Sequence, residues 1–533
     1  MNAYYHFLNR SNSGEGFREL LNGKLFVDKT MLIREMNEKL STKEKWVCVS
    51  RARRFGKTMA LEMLAAYYTK GIYPAHLFEG LKIEKDPTFS HHLNKHNVIL
   101  INFNEYFNKT ASVEEGIERL SQFLIQDLKN AYPGVIDKET DAALCLDMVC
   151  QIKSEKFIFL IDEWDSIFRE RRGETQEQER FLDFLRTLFK DKSYVELVYI
   201  TGILPIKKYN TGSALNMFHE FTMLEPKRLA PYFGFSEQEV QNLCRSQSKI
   251  SFDELKEWYD GYYMEDAGAV FNPRSVTEAL NEGKCYDYWN RTGGFCELEE
   301  YITKDFDGMG DTIIALMADE NVSVNVLGFS NDLDSFQDRD EVITALIHMG
   351  YLTYVDGQVC IPNREIKEEF TNTVKKLSWG TVSKLLRQSR ELLSATRSGN
   401  EELVARLLES VHDDMQEFKE YNNEHTLKCV IHLAYYAAQD EYELRFEAPA
   451  GKGFADCIMI PKRKGRPGIV LELKYNKSAE QALAQIRARH YDRLLRGVAS
   501  EVLLVGINYD KRTKTHACKI QKYSVGSQDT RPM

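Results

Sequence analysis

The chain has 533 residues, 43% hydrophobic and 28% charged, and a formal net charge of −10. That length predicts three or four domains, and the composition excludes wholesale disorder or a fibrous chain. No apolar run nears the ~20 residues of a membrane helix, the N-terminus has no secretory pattern, and the 10 cysteines include no Cys-x-x-Cys pair. They read as reduced thiols, so a cytoplasmic protein without a membrane partner is expected.

Charge is unevenly spread. Residues 450–533 hold 17 Lys/Arg against 7 Asp/Glu, a balance of +10, which leaves −20 on the rest. A basic module on an acidic body fits a polyanionic partner; a merely solvated basic face fits equally well.

Through residue 220, short apolar runs alternate with helix-like stretches. Strands are expected at 46–50, 97–103, 157–161 and 196–202, and helices at 59–68, 113–128 and 178–190. Continuous apolar runs predict strands buried on both faces, and the alternation predicts a parallel sheet with crossover helices. From 225 to 420 the strand signal fades, and 258–263 and 271–276 read as turns between helices. A helix ending at Gly350, then two short strands around Asp356-Gly357, reads as a winged-helix-like unit or a plain α+β connector. Residues 380–420 read as helical. The last module reads as a helix at 424–438, strands at 452–461, 469–475 and 501–507, and a helix from a Ser478 cap to Arg496, stopped by Gly497. The expected fold class is α/β, in three parts. Residues 1–225 form a P-loop parallel-sheet ATPase domain, 226–400 a helical, winged-helix-like connector, and 401–533 an α/β restriction-endonuclease-like domain.

Two constellations carry chemistry. The string RARRFGKT (51–58) lies between a strand and a helix, where backbone N–H groups can cradle phosphates. Gly56 and Arg54 belong to this loop, Lys57 can reach the β and γ phosphates, and Thr58 can ligate Mg²⁺. Arg51 stands where the full pattern has glycine, and Arg51, Arg53 and Arg54 add positive charge. FIFLIDE (157–163) ends an apolar strand in Asp162, a Mg²⁺ carboxylate, and Glu163, a base for the attacking water. Thr201 ends another strand, as a γ-phosphate sensor or a plain strand terminator. No arginine finger is assigned among Arg169, Arg171, Arg172 and Arg228.

In IVLELKY (469–475), alternation places Glu472 and Lys474 on one strand face. Asp456 lies on the preceding strand, folded back by the basic turn at 462–468. Two carboxylates that hold Mg²⁺ and a lysine that positions water are the parts of a phosphodiester-cleaving site. Glu424 is a further candidate metal ligand, and Gln485 and Tyr491 follow on the next helix.

As a set, FVDKTMLIREM, SRARRFGKT, FLIDEWDSIF, YITGILPI, FNPRSV, GKGFADCIMIP, ELKYNKS and QIRARHY resemble a bacterial family. That family pairs an AAA-ATPase-like domain with a C-terminal PD-(D/E)xK nuclease-like domain. Arg51 matches the family, which commonly has arginine there; Ala52 departs from its usual proline. The resemblance implies ATP-linked nucleic-acid processing and fixes no substrate; ATP and Mg²⁺ are expected as cofactors and nucleic acid as partner, DNA in preference to RNA. It is compatible with a homo-oligomer and with defence against phage or mobile DNA. The expected function is an ATP-regulated, Mg²⁺-dependent nuclease. The alternatives are a nucleotide-switched nucleic-acid-binding module without cleavage and a signalling ATPase with a protein target.

Overall fold

The computed structural model describes residues 5–12, 14–71, 75–206, 215–246, 249–289, 295–303, 306, 308–329, 333, 335–376, 380–414, 431–432, 434–450, 453–463, 465–495 and 498–524. The chain divides into two compact units, Met1–Gly294 with Ser323–Lys367, and Phe295–Val322 with Glu368–Met533.

The first unit is built on five parallel strands: β1 (Trp46–Ser50), β2 (Asn97–Asn102), β3 (Phe157–Asp162), β4 (Val195–Gly202) and β5 (His219–Phe221). Their order is β2-β3-β4-β1-β5. The apolar runs are continuous because alternate residues serve two cores. Phe157, Phe159 and Ile161 face one core with Leu120 and Leu124 of α2 (Val113–Ala131) and Phe181 of α3 (Thr175–Phe189). Ile158 and Leu160 face the other, with Leu61, Leu64 and Tyr68 of α1 (Lys57–Tyr68). Inserting β4 between β1 and β3 sets Thr201 between the phosphate loop and the acidic pair, at the C-terminal edge of the sheet.

Beyond the sheet, the expected turns at 258–263 and 271–276 are partly strand. Tyr262–Met264 and Gly268–Phe271 form a hairpin, and Asn272 then caps α4 (Pro273–Glu282) by accepting from Ser275 N. Short strands of alternating exposure resemble polar turns in sequence. The later pattern is as expected: α5 (Arg339–Met349) ends at left-handed Gly350, and a hairpin turns at Asp356 (φ 48°) and Gly357 (φ 84°).

The second unit holds a mixed sheet in sequential order: β6 (Tyr442–Ala450), β7 (Gly453–Pro461), β8 (Gly468–Tyr475), β9 (Glu501–Asp510) and β10 (Thr515–Ser524). Only β8 and β9 are parallel, and helix α6 (Ala479–Arg489) makes that crossover. Ser478 caps α6 as expected, accepting from Gln481 N at 3.2 Å. The helix does not reach Arg496: it stops at left-handed His490, and a 3-10 turn, Tyr491–Leu495, follows. Burial of Tyr491 and Leu495 beneath the sheet outweighs the helical pattern. Arg496, Gly497 and most of the helix expected at 424–438 lie outside the described residues; Tyr436–Asp440 is a 3-10 turn. No described helix is long and apolar enough to cross a membrane.

Candidate functional site

The loop after β1 turns into α1 at Gly56, whose φ of 88° is easily reached only without a Cβ. Lys57 Nζ donates to Arg51 O and Ala52 O, each at 2.9 Å, so the amine is held by the loop's own carbonyls. Burial lowers its pKa to about 8, against the pull of Asp162. Thr58 Oγ1 donates to Asp162 Oδ2 at 2.7 Å, and Thr201 Oγ1 donates to Oδ1. Three expected residues from three elements thus meet at one carboxylate, and the hydroxyl–carboxylate pair suits Mg²⁺.

Glu163 follows with a left-handed backbone (φ 53°). Its Oε2 lies 3.6 Å from Arg169 Nη2, and Arg169 Nε lies 3.3 Å from Asp165 Oδ2. Burial raises the Glu163 carboxyl, opposed by Arg169. Asp165, not singled out in the sequence, is fully buried and accepts from Ile203 N and Leu204 N, both at 2.9 Å. Its FLIDEWD context is the only signal that could have found it. Of the other arginines, Arg171 donates to Thr110 O at 2.6 Å and Arg228 pairs with Glu44 at 3.1 Å.

A cavity of about 390 Å³ is lined by the backbone turn Arg54–Thr58 and by Phe17, Phe26, Met59, Met63 and Tyr232. The start of a helix at one wall and apolar side chains at the others suit a nucleotide's two halves. Arg54 lines it while donating to Tyr288 O.

Arg51 adds no charge to that cavity. Its side chain is fully buried, donating to Ser50 O at 2.9 Å and Phe221 O at 2.6 Å, with the guanidinium 5.1 Å from the Phe233 ring. Burial lowers its pKa to about 10, so it remains charged at neutral pH. It is a strut between β1 and β5. The expectation that it strengthens the phosphate loop is corrected.

In the second unit the β7–β8 register pairs Cys457 with Leu471; one residue further, Asp456 comes level with Glu472. Asp456 Oδ2 accepts from Leu473 N at 2.7 Å. Glu472 is 2% exposed, and its Oε1 accepts from Lys474 Nζ at 2.8 Å and from Gln485 Nε2. Gln485 Nε2 also reaches Tyr491 Oη at 3.3 Å. Glu472 Oε2 is buried with no hydrogen-bond partner. Burial, then Asp456, pushes the Glu472 carboxyl up. A buried, unpartnered carboxylate oxygen beside a second acid fits a divalent cation; Mg²⁺ commonly uses one or two carboxylates and keeps several waters. Among the described residues no group of three or more His, Cys, Asp or Glu converges, and Glu424 lies outside them. Several basic residues of this module are paired: Arg466 with Glu441 and Lys519 with Glu401, both at 2.8 Å.

Fold and sites together define a P-loop ATPase-like domain joined to a restriction-endonuclease-like domain. Residues 15–211 match the family model of a predicted AAA-ATPase, and residues 422–518 that of the PD-(D/E)XK nuclease superfamily. The chain therefore carries an AAA-ATPase-like domain followed by a C-terminal PD-(D/E)XK nuclease-like domain. Among solved structures it is similar to the Walker-type ATPase PABY2304 of Pyrococcus abyssi, 14% identical over 64% of this chain and 94% of that one, TM-score 0.33. It is also similar to Cdc6p from Pyrobaculum aerophilum (10%, covering 70% and 97%, TM-score 0.24) and the ORC2 protein of Aeropyrum pernix (10%, 70% and 99%, 0.30). No curated protein matches the chain.

Proposed function

We propose that this chain is an ATP-regulated, divalent-metal-dependent nuclease, acting in the cytoplasm on nucleic acid, DNA in preference to RNA. The observation that carries the reading is the unpartnered, buried Oε2 of Glu472 beside Asp456 and Lys474. Asp456 and Glu472 would hold Mg²⁺, with Glu424 as a further ligand. When bound, the metal polarises the phosphodiester and makes its water more acidic. Gln485 fixes Glu472, and Lys474 orients water and offsets charge building on the phosphate. In the first domain, Thr58 and Asp162 would hold Mg²⁺ with ATP, Lys57 would exchange the loop carbonyls for phosphate oxygens, and Glu163 would accept the water's proton. Residues 226–400 connect the two activities. The family resemblance extends the reading to defence against phage or mobile DNA, and the chain would be compatible with a homo-oligomer. Purified protein on plasmid DNA, with and without Mg²⁺ and ATP, tests it: metal-dependent cutting modulated by ATP is expected. Salt-sensitive binding without cutting would leave a binding module instead.

A further inference from the structure

Phe454 is the second residue of β7 and is 66% exposed, although it sits in a regular ladder opposite Pro449 of β6. A single exposed apolar side chain is ordinary. Its address is what distinguishes this one. Side chains two apart on a strand share a face, so Phe454 lies on the face of Asp456. The strand rise of about 3.3 Å per residue separates the two by about 7 Å. Asp456 in turn accepts from Leu473 N, beside Glu472 and Lys474 on β8. An exposed aromatic ring therefore stands at the rim of the carboxylate–lysine site, in the most basic part of the chain.

We propose that Phe454 stacks on an unpaired nucleobase beside the scissile phosphate, so that the substrate is a single-stranded or locally unpaired nucleic acid. This rests on the reading of Asp456, Glu472 and Lys474 as a phosphodiester site. An aromatic face accepts any base, so stacking selects strandedness rather than sequence. In an intact duplex both faces of an internal base are already covered by its neighbours.

The test uses the full chain carrying Glu472→Gln, so that binding is read without cleavage. The probe is a single-stranded DNA oligonucleotide containing 2-aminopurine, whose fluorescence falls on stacking. Binding should quench it. Adding Phe454→Ala should weaken affinity about fivefold or more and remove the quench, and Phe454→Trp should restore both. The same label inside a blunt duplex should respond to none of these changes. Equal affinity and quench in the Phe454→Ala protein, or an equal loss on single strand and duplex, overturns the proposal. In parallel, the Glu472-intact chain is assayed for cutting with Mn²⁺. If it cuts, and Phe454→Ala leaves its single-strand to duplex ratio unchanged, only the stacking role falls; if it cuts nothing, the phosphodiester reading falls and stacking with it.

Discussion

Gly506 pairs directly with Glu472 in the parallel β8–β9 ladder, and its missing side chain lets α6 close over the site. A Cβ there would collide with Ala479 O and come within 3.0 Å of Ala482 Cβ. The close approach puts Gln485 against Glu472. Gly506→Val should therefore destabilise the second unit by about 1–3 kcal/mol and reduce metal-dependent cutting, while ATP affinity is unchanged. Denaturant melts followed alongside a cleavage assay check this; wild-type cutting would break the link between helix placement and Glu472.

Lys57 should make the proposed nucleotide site pH-sensitive. Burial lowers its amine's pKa to about 8, and in the proposed reading it is the charged form that binds phosphate. An anionic ligand stabilises that form, so the amine's pKa rises on binding. ATP affinity should be flat below pH 8 and fall above it, by up to about tenfold per pH unit. Lys57→Ala should bind ATP weakly at all pH values and lose this dependence. Isothermal titration from pH 6.5 to 9.5 reads both.

Glu163 and Asp162 should separate in function. Glu163→Gln keeps the Mg²⁺ carboxylate but cannot accept a proton, so it should bind ATP normally and turn it over about 100-fold more slowly. Asp162→Asn disturbs the oxygens that receive Thr58 and Thr201 and should also lose Mg²⁺-dependent binding. Wild-type turnover by Glu163→Gln, measured by phosphate release, would remove Glu163 from the chemistry.

Arg51→Gly restores the common phosphate-loop pattern yet should harm the protein. It removes two hydrogen bonds to Ser50 O and Phe221 O and leaves a hole in the core. A loss of about 2–4 kcal/mol in stability is expected, with ATP affinity of the folded fraction unchanged. Tighter ATP binding would return Arg51 to the loop's chemistry.

The elements that position both sites were legible for a common reason. β1 and β3 are buried on both faces, so they read as unbroken apolar runs that end at polar residues of the site, and β8 is an apolar run interrupted by Glu472. The alternation of residues 469–475 puts Glu472 and Lys474 on one face, where their side chains meet, and Gln485, which also reaches Glu472, is singled out by resemblance rather than periodicity. β6 and β10 were not expected, because edge strands such as YELRFEAPA carry charges in alternation and resemble loops. The role of Arg51 was hidden because charged side chains are rarely fully buried and its acceptor Phe221 O lies 170 residues away. The role of Gly506 depends on a helix docking that no local pattern encodes.

The most direct measurement compares wild-type and Glu472→Gln protein on single-stranded and plasmid DNA, with Mg²⁺ or Mn²⁺, with and without ATP. The wild type should cut only with metal. Glu472→Gln should lose cutting by about 100-fold or more while binding DNA with affinity close to wild type, because the basic residues remain. Wild-type protein that cuts no nucleic acid under any metal and nucleotide condition, or a Glu472→Gln variant that cuts as well as wild type, would contradict the account.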